Sequence, residues 1–157
     1  MGLLLIGLSS INNISNKGFI MLLFSHGLVS SLLFLLIGIL YVRTKTRYLY
    51  YFRGLTTTMP LYSTFLFIAL LLNSAIPPSL SFFAELHLMQ GAFINEMIGT
   101  LHGLIALLFS GFYSILLFTR IAFEKIYNNH YKDITYREFI LSLPLILFSF
   151  IFSFLLF

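Results

Sequence analysis

Residues 73–86 read Asn73-Ser74-Ala75-Ile76-Pro77-Pro78-Ser79-Leu80-Ser81-Phe82-Phe83-Ala84-Glu85-Leu86. They lie inside an apolar stretch running from about Met59 to Phe93, too long for one straight membrane span. Proline removes a backbone donor and clashes with the preceding turn, so Pro77-Pro78 must break or kink the helix. The expectation is a broken span over 59–94, divided at 77–78 into half-helices of about 59–76 and 79–94. Glu85 falls seven residues after Pro78, flanked by apolar side chains. A charged carboxylate at bilayer depth costs several kcal/mol. Freed backbone groups at a helix break require polar partners or water, so such breaks sit inside protein or along wet cavities. A glutamate beside a break is therefore a candidate proton site. The structural alternative is a glutamate paired with a basic residue on another helix.

Composition fixes the membrane class. Of 157 residues, 59% are hydrophobic and 9% charged, where a soluble domain carries about 25% charged residues. A chain of this size cannot hide so much apolar surface inside a globule. Outward from the broken span, Gly2 to Ile11 is a half-helix. Residues 19–41 form a span, and so do 98–119 and 139–157, with Pro144 in the first turns of the last. The fold expected is an all-α membrane protein, a polytopic bundle with one Pro-broken helix, in one region covering 1–157. The first residues lack a charged front and a small-residue cleavage site, so they are not expected to be a signal peptide.

The net charge of +4 does not point to nucleic acid, because the basic residues sit in short connections rather than on one face. The 42–57 loop carries Arg43, Lys45, Arg47 and Arg53 and no acid. The 120–138 loop carries Arg120, Lys125, Lys132 and Arg137. The positive-inside rule places both loops on the side of synthesis, the cytoplasm or the mitochondrial matrix. Lys17, Glu96 and the C-terminus are expected on the other side. The chain has no cysteine, which excludes disulfides and thiolate metal sites. The bias toward Phe, Leu and Ile without Trp suggests an AT-rich coding genome such as an organelle's.

His26 lies mid-span and can pass protons in both directions. Ser30, four residues on, shares its helix face, so His26 and Ser30 are candidates for the lining of a wet path. The alternative is a histidine that bonds a carbonyl or serine and locks helices together. His87 is two residues from Glu85 and points to another face. His102 is expected near the interface and His130 in a loop. The four histidines show no metal-ligand spacing. No nucleotide loop, catalytic triad or haem motif is present.

Several segments together resemble the subunit 4 family of respiratory NADH:ubiquinone oxidoreductase, complex I. These are His26-Gly-Leu-Val-Ser-Ser-Leu-Leu-Phe34 followed by Tyr41-Val-Arg-Thr-Lys-Thr-Arg47, then Met59-Pro60, then Asn73 to Ser79 with Ala84-Glu85-Leu86. Gly111-Phe-Tyr-Ser114, Phe118-Thr119 and the opening Met1 to Gly7 complete the set. Ser81, Ala84 and Lys45 stand where the family often has Asn, Gly and His. The resemblance covers almost the whole chain and implies the C-terminal third of an antiporter-like subunit, about helices ten to fourteen.

By that resemblance Glu85 terminates a chain of buried charges and waters, with His26 near it. The family's other relay members, a glutamate and two lysines on earlier helices, have no counterpart here. A separate polypeptide holding the N-terminal part is the expected partner, since an initiating Met1 favours a split gene over a fragment. Further implied partners are the other membrane-arm subunits and membrane lipids, cardiolipin among them. The implied location is the mitochondrial inner membrane. No cofactor is expected on this chain, because NADH, FMN, iron–sulfur clusters and ubiquinone belong to other subunits. Rival readings are a cation/proton antiporter subunit and a non-pumping structural subunit.

Overall fold

The computed structural model describes residues 2–10, 12–49, 52–95, 97–123 and 131–156. Glu96, Lys125 and His130 lie outside them. The described residues form helices and connections with no strand. The order is α1 (Gly2–Ser9), α2 (Asn13–Thr44), α3 (Leu55–Thr58), α4 (Pro60–Asn73), α5 (Leu80–Asn95), α6 (Met97–Phe123) and α7 (Tyr136–Leu156). Three of them, α2, α6 and α7, are long and apolar enough to cross a membrane. The 14 residues of α4 and 16 of α5 are half-length, at about 21 and 24 Å.

The break is built from hydrogen bonds rather than from the prolines alone. Helix α4 stops at Asn73, three residues before the expected 76, in a Schellman turn. The Ala75 N–H donates to Leu72 O at 3.3 Å and the Ile76 N–H to Leu71 O at 3.2 Å. Ala75 takes the left-handed conformation, φ 53°, at the position glycine commonly fills. Pro77 then prevents resumption of the helix. Ser79 restarts it as the N-cap of α5, its hydroxyl accepting from the Phe82 N–H at 3.3 Å. The Ser81 hydroxyl reaches back to Leu72 O at 2.8 Å. Leu71 O and Leu72 O, at the end of α4, are thus satisfied inside the protein, as a membrane interior requires.

Helix α2 is longer than its apolar run, 32 residues or about 48 Å. It begins at Asn13 rather than at 19, because a helix stops at caps and not at the edge of an apolar segment. Its buried stripe, Ser15, Gly18, Leu22, Ser25, Val29, Leu32, Leu36 and Ile39, repeats every three or four residues. The polar first turns bring Ser15 and Gly18 under α5, and α2–α5 is the most extensive helix pairing in the molecule. A Cβ on Gly18 would lie 2.8 Å from the Leu88 nitrogen and 2.9 Å from the Ala84 oxygen. One on Gly91 would lie 2.6 Å from Ser15 Cβ. Small residues allow this backbone approach, the usual basis of helix association in lipid.

The main core lies toward the other end, among α2, α4, α6 and α7. Leu36, Met59, Tyr62 and Ala69 are wholly buried there, and the Tyr62 hydroxyl donates to Leu36 O at 3.1 Å. The connections expected at 42–57 and 120–138 meet at that same end. Thr56 donates to Ala122 O at 2.8 Å, and Arg43 pairs with Glu138 at 2.6 Å.

Replacing Gly18 with Ala pushes a methyl group into the backbone of α5. We expect a loss of about 1–3 kcal/mol, seen as a lower thermal midpoint of the purified assembled protein. An unchanged midpoint contradicts the close packing of α2 on α5.

Candidate functional site

Glu85 stands on the second turn of α5, four residues after Ser81 and therefore on the same face. Both line a cavity of about 230 Å³. The face of α2 opposite contributes Leu22, Ser25, His26 and Val29. Leu72 and Asn73, at the end of α4, form the wall beside the break. Ala106, Leu107 and Ser110 of α6 and Leu3 and Leu4 of α1 complete it. The break is what exposes Asn73 and Ser81 to the same space. An unbroken helix would carry its polar groups in its own ladder.

The hydroxyl protons around the cavity are directed at helix carbonyls. Ser25 donates to Leu22 O at 3.2 Å, Ser110 to Leu107 O at 2.8 Å and Ser81 to Leu72 O at 2.8 Å. Each oxygen keeps a lone pair with which to accept from water. Water has a share of about 30 Å³ in the liquid and needs two to four polar partners. A space of this size with Glu85, His26, Asn73 and three serines on its walls can hold several molecules. Among the described residues the Glu85 carboxylate, which is half-buried, takes no ion-pair or hydrogen-bond partner.

The structure therefore brings Glu85 and His26 to one cavity, from different helices. Ser30 lies elsewhere: it is absent from the lining, and its hydroxyl donates to Gly27 O at 3.2 Å. Ser25, one residue before His26 and buried, occupies the place on the wall that the sequence reading assigned to Ser30. His87 and His102 bond their own helices. Their Nδ1 atoms lie 2.7 Å from Phe83 O and 2.8 Å from Ile98 O, and since a carbonyl only accepts, Nδ1 carries the proton in each. No group of three or more potential metal ligands occurs among the described residues.

A second polar cluster closes the far end of the bundle. The Arg43 guanidinium donates to Glu138 at 2.6 Å and to Asp133 O at 2.9 Å. The Asp133 carboxylate accepts from the Leu61 and Tyr62 N–H groups at 2.9 and 3.0 Å. It thereby caps α4, whose own N-cap residue, Met59, offers no side-chain acceptor. The Thr135 N–H donates to Glu138 at 2.8 Å, half of a capping box that starts α7. In the sequence Arg43 stands out as an orientation charge and as part of the Tyr41–Arg47 resemblance, not as one half of an ion pair. The Thr135-x-x-Glu138 spacing was the local signal that something capped there; the remote partner had none.

Comparisons with known proteins agree on one family. Residues 1–110 match the family described as NADH:quinone oxidoreductase/Mrp antiporter, TM. The chain is 41% identical over 149 residues to the NADH-ubiquinone oxidoreductase chain 4 of Chondrus crispus, covering 92% of this chain and 30% of that protein. It is 39% identical over 150 residues to the chain 4 of Marchantia polymorpha, covering 93% and 30%. The chain thus spans about a third of the length of these curated relatives. A structure of respiratory complex I from Thermus thermophilus with bound NADH contains a chain that superposes with a TM-score of 0.89. Identity there is 24%, over 96% of this chain and 32% of that one. That likeness carries the fold.

Ser81 tests the construction of the break. Its replacement by Ala leaves Leu72 O with the backbone N–H groups of Ser74 and Ala75 only, and we expect a loss of about 1–2 kcal/mol. A thermal midpoint of the assembled Ser81→Ala protein equal to that of the native form rules out a bracing role for this hydroxyl.

Proposed function

The chain belongs to the NADH:quinone oxidoreductase/Mrp antiporter transmembrane family, and on that premise we propose that it is the C-terminal third of a proton-translocating membrane-arm subunit of NADH:ubiquinone oxidoreductase. The observation that carries the reading is the placement of Glu85 and His26 on one polar-walled cavity at a helix break. In this reading Glu85 receives and releases a proton on the exit side, driven by redox energy released in other subunits. His26 hands protons along the water path, with Ser25 on the cavity wall and Ser30 one turn beyond. NADH, flavin, iron–sulfur clusters and ubiquinone are held elsewhere in the complex. The earlier helices that complete the relay come from a separate polypeptide or from an earlier segment of a longer chain. Other membrane-arm subunits cover part of its exposed apolar faces.

The membrane in this reading is the mitochondrial inner membrane, with the 42–57 and 120–138 loops on the matrix side. Their meeting at one end of the bundle supports the shared side. Anionic lipid headgroups, those of cardiolipin among them, then face the basic loops. The family also includes Mrp antiporters, so a cation/proton antiporter is the second reading. It requires sodium- or potassium-dependent proton movement without NADH.

The test is proton pumping by vesicles that hold the assembled complex, with NADH oxidation followed alongside. For Glu85→Gln we expect pumping to fall about tenfold or more, and coupled oxidation with it, while assembly is intact. Unchanged pumping makes Glu85 a spectator and moves the structural-subunit reading ahead.

A further inference from the structure

A larger cavity, about 670 Å³, lies against α6 at the end of the bundle where the basic loops meet. Its lining combines Arg53 and Arg120 with Tyr113, Leu116, Leu117 and Leu49. Among the described residues, no aspartate or glutamate lines it. Arg120 sits three residues before the end of α6 at Phe123, at the level where a span leaves the hydrocarbon. Tyr113 lies seven residues earlier on the same helix, about 10 Å deeper. The cavity therefore descends from two cations at headgroup depth to an apolar wall at acyl-chain depth. Tyr113 and Leu116 are exposed along that descent.

This gradient selects its occupant. A guanidinium binds a phosphate through paired N–H donors, and an apolar wall below it favours a hydrocarbon chain. A soluble phosphate would use the arginines and leave the wall unmatched. We infer that Arg53 and Arg120 hold the phosphate of an anionic diacyl phospholipid whose acyl chain lies along Leu116, Leu117 and Tyr113. The site rests on the membrane orientation given above and is independent of the proton role of Glu85.

Photolabelling of the assembled protein in its native membrane tests the site. The probes are phosphatidylglycerol and phosphatidylcholine, each with a diazirine in one acyl chain. We expect cross-links within residues 113–121 from phosphatidylglycerol, about tenfold above those from phosphatidylcholine. The double variant Arg53→Gln/Arg120→Gln should lose that excess, and Arg53→Lys/Arg120→Lys should keep most of it. Equal labelling by the two lipids in the native protein overturns the proposal without recourse to any variant. Absence of labelling by both overturns it too, and means that another polypeptide covers this face. Pumping by Glu85→Gln vesicles is a separate readout, so failure of one reading leaves the other standing.

Discussion

The interruption between α4 and α5 is the constraint on which the rest of this structure depends. In hydrocarbon an unsatisfied backbone group costs several kcal/mol, so a helix can be opened there only if its orphaned carbonyls find partners. Here Ala75 and Ile76 supply two N–H groups in a Schellman turn, and Ser81 supplies a hydroxyl from the next helix. Ser79 caps the helix that follows. These partners come from the chain's own backbone and side chains. Beside the break Asn73, Ser81 and, one turn on, Glu85 all line one cavity.

Two packing arrangements hold that cavity in place. On one side α2 approaches α5 so closely that Gly18 and Gly91 have no room for a methyl group. This contact sets the rotation of α2, and so decides that Ser25 and His26, not Ser30, face Glu85. At the far end the Arg43, Asp133 and Glu138 cluster ties α2, α4 and the start of α7 together. A well-packed core around Tyr62 separates the two regions. The molecule is thus tightly packed around Tyr62 and open, with polar walls, at its break.

Much of this was legible in the residues, for identifiable reasons. Pro77-Pro78 announces a break because proline chemistry is local, and Glu85 stands out because a carboxylate in an apolar run is costly. The beginning of α2 is hidden in the sequence, since Asn13, Asn16 and Lys17 read as polar connection while the backbone continues helical through them. The cavity face of α2 was out of reach for a related reason. Ser25 and Ser30 flank His26 in sequence, and only the contact of Gly18 with α5 chooses between them. The end of α4 at Asn73 rests on a Schellman turn with alanine where glycine is usual, so the residue that signals such a turn was missing. Asp133 caps a helix 72 positions away from it in sequence, counting to Leu61, a pairing no local pattern encodes.

The central claim is that the break holds water against Glu85 in the assembled membrane protein. A high-resolution electron cryo-microscopy map of the assembly, in lipid, tests it most directly. The account predicts ordered water density in the cavity, bridging the Glu85 carboxyl group toward His26 and the oxygens of Ser25 and Ser110. A cavity filled instead by an acyl chain or by apolar side chains of a neighbouring helix, with no water at Glu85, would contradict it.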